Sequence, residues 1–291
     1  MISLIVTNYN TWQLTERCIR AAIMADNHLI VKEYIIVDDN SDEFAPQSLQ
    51  QLSNTKIIRN ITNIGYVASV NIGFSAANYP ICLLLDSDAY PITDFSTIAM
   101  LFEKKADLGI LGFRLEDEQG NATGNAEPEP NFWSVLLGQG GYAKFEKYLV
   151  HNKALAVFSC AMAVRKTAFQ AVNGFDESFD FLDADIDFCM RINRSQHWKI
   201  ETDPTIRMFH IGGGSPQLTS KRVIRFYRNR FHLLRKHNLL PMPLVIKFFV
   251  LSRLTAEYLA LGLAGSFRFN KTVKADKMLA RKQLITQIFN Y

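Results

Sequence analysis

The chain has 291 residues, 48% of them hydrophobic and 21% charged, with 15 Gly and 9 Pro, so it can bury a large core and is neither disordered nor fibrous. Its net charge of +4 hides an asymmetry: residues 1–220 hold 17 Lys and Arg against 26 Asp and Glu, and residues 221–291 hold 15 against 2. An acidic body with a basic appendage suits a phosphate or anionic surface as partner.

The chain opens without a basic n-region or an apolar stretch of signal length, so a cytoplasmic location is expected. Ile2 to Val6 reads as a buried strand and Trp12 to Met24 as a helix with Leu14, Cys18, Ile19, Ala22 and Ile23 at helical spacing. Tyr34 to Val37 is a second strand that stops in Asp38-Asp39-Asn40-Ser41, Lys56 to Ile58 a third, and Val67 to Ala77 a helix. A fourth strand, Ile81 to Leu85, stops in Asp86-Ser87-Asp88. Strands alternating with helices predict a parallel α/β sheet, and ligands of such sheets bind outside the carboxyl ends of the strands, where these polar clusters lie.

Beyond this half, Glu116 to Pro130 and Gly138 to Gly141 read as loops, Val157 to Val164 as a strand, Phe169 to Phe181 as turns and Ala184 to Arg194 as a helix. Gly212-Gly-Gly-Ser215 reads as a flexible joint, followed by helices over Val223 to His237, Leu244 to Leu263 and Lys271 to Phe289. Cys18, Cys82, Cys160 and Cys189 lie far apart without a Cys-x-x-Cys pair, against a zinc site or a disulfide scaffold.

Two carboxylates one residue apart in a turn, as in Asp86-Ser87-Asp88, can share a hard divalent cation with phosphate oxygens, though Asp-x-Asp alone is equally a turn or cap. His210, at an apolar strand end, can complete such a shell as a neutral imidazole. The segment Phe179 to Arg191 interleaves four Asp with Phe and Leu, which a solvated face does not require; Asp185 near its helix start can face a cleft and act as general base, the alternative being charges favoured by the helix dipole.

In order along the chain, Val6-Thr-Asn-Tyr-Asn-Thr11, Val37-Asp-Asp-Asn-Ser41, Asn63-Ile-Gly-Tyr66 with Asn71, Leu85-Asp-Ser-Asp88, Gly174-Phe-Asp-Glu177, Asp185-Ile-Asp-Phe-Cys-Met-Arg191, His210 and Arg228-Asn229 together resemble the inverting family-two glycosyltransferases, and within them the rhamnosyltransferase-like branch. The resemblance implies a GT-A fold, that is, a Rossmann-like, mostly parallel central sheet flanked by helices, together with a nucleotide-sugar donor and a divalent metal, Mn2+ or Mg2+. With the charge split at residue 220 it gives a catalytic domain over residues 1–220, with a nucleotide-binding half to about residue 110 and an acceptor-binding half over 111–220; the basic, amphipathic helical region over 221–291 lies beyond it.

Carried over by position, Thr7, Asn8 and Tyr9 would line the nucleotide pocket, Asp39 would meet the base, and Asn63 and Asp86 would lie near the ribose and donor sugar. Asp88 and His210 would hold the metal, Asp185 would be the base, and Asp183, Asp187 and Arg191 would meet the acceptor. The chain departs from the family in having Asp86 where an Asn is frequent and Ala184 where a Glu precedes the base. A dTDP-linked deoxyhexose such as rhamnose is the favoured donor, with a UDP-hexose as alternative, and the acceptor implied is a growing cell-envelope polysaccharide or lipid-linked glycan.

The C-terminal region is read from its residues alone. In Leu244 to Leu263, apolar residues flank Lys247, Arg253 and Glu257, a pattern that describes a helix lying on an anionic membrane surface. That reading places the protein peripherally on the inner face of the cell membrane. The alternatives are packing on the catalytic body and a homodimer through these helices. A nucleotidyltransferase is disfavoured because Thr7 to Thr11 lacks a glycine-rich basic phosphate loop, and nucleic acid is not expected as a partner because no recognition motif accompanies the basic tail.

Overall fold

The computed structural model describes residues 1–149, 154–210, 219–263 and 271–291. In chain order they form β1 (Ile2–Asn8), α1 (Trp12–Ala25), β2 (Val31–Asp38), α2 (Gln47–Gln50), β3 (Thr55–Arg59), α3 (Tyr66–Ala76), β4 (Ile81–Leu85), β5 (Ala89–Pro91) and α4 (Ser96–Lys104). There follow β6 (Leu108–Glu116), β7 (Ala126–Pro128), α5 (Trp133–Leu149), β8 (Leu155–Val157), β9 (Ala161–Arg165), α6 (Lys166–Ala171), α7 (Ala184–Arg194) and β10 (Lys199–His210). Helices α8 (Thr219–Lys236), α9 (Pro243–Leu263) and α10 (Lys271–Gln287) close the chain with a 3-10 turn, Ile288–Asn290. The glycine joint expected at Gly212 to Ser215 lies outside the described residues.

Two compact units result, Met1–Pro128 with Ala154–Gly214, and Glu129–Lys153 with Ser215–Tyr291. Residues 129–153, expected in the acceptor half, instead group with the C-terminal helices.

The first unit is built on an eight-stranded sheet in the order β3-β2-β1-β4-β9-β6-β10-β5. The pairs among β3, β2, β1 and β4 are parallel, as the alternation of short apolar runs and helices predicts. Past β4 the sheet is mixed: β9 runs antiparallel to both β4 and β6, β10 parallel to β6, and β5 antiparallel to β10. Strand β4 is buried at all five positions, which is why it reads as a continuous apolar run rather than an alternating one. Expected as one strand, residues 157–164 are two, because Phe158 to Cys160 form a turn between β8 and β9. Strand β7, inside the expected loop after Glu116, pairs with β8.

Helix α3 lies so close to β1 that a Cβ on Gly73 would stand 2.5 Å from Ile5 Cγ2. The helix buries Val67, Ser69, Val70 and Phe74, and Phe74 stacks on Phe169 with ring centroids 4.2 Å apart. In the second unit, α5 runs through the glycines expected to form a loop and kinks at Gly138, whose φ is 69°. Arg253 of α9 donates to the Leu136 carbonyl at 2.8 Å, satisfying a group that the kink frees.

Gly73→Ala should therefore lower stability by about 1–3 kcal/mol, since Ile5 or the helix must shift, and chemical denaturation of the variant measures it.

Candidate active site

The carboxyl ends of β1, β2 and β4 carry the polar clusters. Asn8, at the end of β1, is 1% exposed; its amide donates to Asp38 Oδ1 at 2.8 Å and Ser41 Oγ at 3.0 Å, and its carbonyl oxygen accepts from Thr11 and Thr15. Every polar atom of Asn8 is thus used inside the protein. Side chains alternate along a strand, so Thr7, partly buried, and Tyr9, 52% exposed, are the neighbours left to face outward.

Asp39, 4% exposed, accepts the backbone N–H of Ile64 and of Gly65, each at 2.8 Å, and the Asn60 amide at 3.0 Å. This carboxylate fixes the turn that starts α3, where Gly65 takes a φ of 91° that few other residues adopt. Asn63 is exposed on that turn. The next residue after Gly65, Tyr66, closes the Asn63-Ile-Gly-Tyr66 motif, which assigns it no role. Its ring packs edge-on against Phe181 at 5.0 Å, and its buried hydroxyl, beside Asp86 and Ser159, has no partner of good hydrogen-bond geometry among the described residues.

After β4, Asp86 N–H donates to the Cys160 carbonyl at 2.9 Å and the Ala89 N–H to the Asp86 carbonyl at 3.0 Å, closing a tight turn into β5. Because β5 pairs with β10 and Ala89 stands opposite His210, the imidazole arrives next to this turn, with Nε2 3.5 Å from Asp88 Oδ1. Ligand atoms of Asp86, Asp88 and His210 lie within 4.8 Å of one another. Burial, and then the neighbouring Asp88 charge, push Asp86 up to about 6, while the bond to Asp88 raises His210 above its ordinary range. Two carboxylate oxygens and an imidazole nitrogen this close together are a donor set that can hold a divalent cation.

Asp185 stands in the first turn of α7, which buries Phe188, Cys189 and Ile192 at 0% exposure as expected from their spacing. Ser159 N–H donates to Asp185 Oδ2 at 3.1 Å and Ile186 N–H to Oδ1 at 2.9 Å. Among the described residues no cation pairs with it, and burial pushes it up to about 6. Asp183, just ahead of the helix, takes a left-handed φ of 66° and is 5% exposed. Asp187 is fully buried and accepts from Arg191 Nε at 2.8 Å, while Arg191 also donates to the Val172 carbonyl. Thus Asp185 and the Asp86, Asp88 and His210 cluster lie in one electrostatic neighbourhood, whereas Asp187 and Arg191 form a pair inside the fold.

The sequence profile described as glycosyl transferase family 2 matches residues 3–172. Among solved structures, S. aureus TarS 1–349 is similar at 15% identity, covering 99% of this chain and 82% of that one, with a TM-score of 0.55. The mannosyltransferase PcManGT from Pyrobaculum calidifontis, in complex with GDP-Man and Mn2+, is similar at 13% identity, covering 98% and 86%, with a TM-score of 0.56. GalNAc-T7 with UDP, GalNAc and Mn2+ gives 14% identity, 100% and 57% coverage and a TM-score of 0.59. At these identities the likeness is one of fold, a GT-A arrangement of the sheet. No curated protein matches the chain.

Two outcomes follow from the geometry. Mn2+ should raise the melting temperature of the wild-type protein by mass action, and Asp88→Ala should abolish the rise in a thermal-shift titration. Asp187→Ala should cost roughly 3–5 kcal/mol in chemical denaturation, because it leaves Arg191 without its buried partner.

Proposed function

Because the chain belongs to glycosyl transferase family 2, we propose that it is a metal-dependent inverting glycosyltransferase that moves a hexosyl residue from a nucleotide donor to a hydroxyl of a growing cell-envelope polysaccharide or lipid-linked glycan. The observation that carries the reading is a carboxylate, Asp185, held by two backbone N–H groups and the Ser159 hydroxyl and lying near the Asp86, Asp88 and His210 cluster at the strand ends.

In this reading the acceptor hydroxyl gives its proton to Asp185 as its oxygen attacks the anomeric carbon. The bond between that carbon and the diphosphate oxygen breaks on the opposite face, so configuration inverts and the nucleoside diphosphate leaves with the bonding pair. Asp88 and His210, with Asp86, would hold a divalent ion, Mn2+ or Mg2+, which supplies positive charge to the leaving diphosphate. A base raised to about 6 suits its task, since it is ionised at neutral pH and yet basic enough to accept the proton. Thr7 and Tyr9 would face the nucleotide, and Asp39 would act there through the turn it fixes, beside Asn63. Asp183 remains the acceptor-side candidate nearest the base.

The resemblance to the rhamnosyltransferase-like branch favours dTDP-rhamnose as donor. A UDP-hexose is the second reading, supported by the UDP present in a structural neighbour of the same fold. The basic C-terminal unit would hold the enzyme at the inner face of the cell membrane, where lipid-linked acceptors are built.

Asp185→Asn should lower turnover by about 10²–10⁴-fold with donor affinity largely retained, measured as nucleotide release across a panel of nucleotide sugars with Mn2+. Turnover in that variant equal to wild type removes the base assignment. Since the base works ionised, kcat/KM of the wild type should be level above about pH 6 and fall tenfold per pH unit below it.

A further inference from the structure

Helix α9 is turned inside out with respect to the usual amphipathic helix. At 100° per residue, Leu244, Val245, Phe248, Phe249, Leu259 and Leu263 share one arc of roughly 140°, and they are between 46% and 88% exposed. Its three charged residues occupy the other side. Lys247, 7% exposed, donates to the Phe289 carbonyl at 3.0 Å; Arg253 bonds to Leu136, Tyr227 and Glu257; and Arg281 donates to Glu257 at 3.1 Å.

No charged residue lies on the exposed arc. The two hydroxyls that do, Ser252 and Thr255, are turned back onto the helix, donating to the Phe248 carbonyl at 3.0 Å and the Leu251 carbonyl at 2.9 Å. Hydroxyls bonded in this way need no water, which is the condition of a helix face that leaves the aqueous phase. Among the described residues no helix is long and apolar enough to cross a membrane. A face of this kind is suited to lie along the boundary between headgroups and acyl chains.

Charge selects the occupant. The unit that contains α9 holds 18 Lys and Arg against 4 Asp and Glu, so two copies meeting through this face would bring like charge together, whereas an anionic bilayer complements it. We infer that the Leu244, Phe248, Phe249 and Leu259 face of α9 docks on an anionic lipid surface, with the surrounding cations drawn to its headgroups. The inference deepens the reading of a membrane-held transferase, and its test uses no catalysis, so lipid docking and sugar transfer stand or fall separately.

The test is co-sedimentation of the full chain with phosphatidylcholine vesicles prepared with and without phosphatidylglycerol. Wild type should bind the anionic vesicles, and rising salt should weaken the binding. The double variant Phe248→Ser, Phe249→Ser should partition about tenfold less or weaker still, because the two rings no longer leave water, while its melting curve overlays that of wild type. Met24→Ser, which removes a side chain 82% exposed on α1, should bind as wild type does. Absence of wild-type binding, or binding by the double variant equal to wild type, overturns the inference. So does a concentration-dependent dimer without vesicle binding that the double variant abolishes, since that outcome assigns the face to a second copy.

Discussion

Burial of carboxylates at the ends of the sheet, to which their neighbours' charges add, is the constraint on which the first unit depends. Asp86, Asp88 and Asp185 are brought into one low-dielectric neighbourhood, and His210 is the basic side chain that the sheet delivers to Asp88. For Asp185, a rise from 3.8 to about 6 means that its charged form is held against a penalty on the order of 3 kcal/mol at neutral pH. Such burial of charge survives only where the surrounding packing over-determines it, as strained functional sites generally do. Here the surroundings are a strand buried at all five positions, β4, and a helix anchored by fully buried Phe188 and Cys189.

Topology explains how residues far apart in sequence share this site. The parallel strands β1, β2 and β4 bring their polar ends to one edge. The antiparallel pairing of β9 with β4 then places the turn before β9 against it, so that Cys160 receives the Asp86 N–H and Ser159 holds Asp185. A second antiparallel pair, β5 with β10, sets His210 opposite Ala89. Asp39 acts at one remove, since its carboxylate ties down the turn whose next residue is Tyr66, and the close approach of α3 to β1 at Gly73 keeps that turn in place.

What could be read from the residues is what local pattern specifies. Strands β1 to β4 and helices α1, α3 and α7 follow from apolar runs, helical spacing and the Asp-rich stops, and the two carboxylates at the end of β4 lie beside His210. Strand β5 has only three residues and exists through pairing with β10, and the first part of β10 carries Asp203 and Pro204; neither has a local signal, whereas the apolar end of β10 at His210 does. Helix α5 contains Gly138, Gly140 and Gly141, which predict a loop, and tertiary contacts override that preference. The role of Asn8 was hidden for a different reason. Sequence order places it beside Thr7 and Tyr9, but strand alternation turns it to the inside, where Asp38, Ser41, Thr11 and Thr15 use its amide completely. For Tyr66 the local signal is its place in the motif, an aromatic directly after the glycine that Asp39 fixes.

The orientation of α9 shows which force decides when two compete. Rolling the helix over would bury Phe248, Phe249 and Leu259, a gain of about 25 cal/mol for each Å² withdrawn from water. It would also strip Lys247 from the Phe289 carbonyl, Arg253 from Leu136 and Tyr227, and Glu257 from Arg281. Breaking hydrogen bonds to charged groups costs about 1.5–3 kcal/mol each where they are sheltered from water, and more where a partner stays buried. The kink at Gly138 adds to that cost, because the Leu136 carbonyl it frees finds its donor in Arg253. Hydrogen bonding therefore fixes the charged side inward and leaves the apolar side outward. An exposed uncharged face of that length is a liability in water, and it becomes an asset only against a surface that is itself apolar.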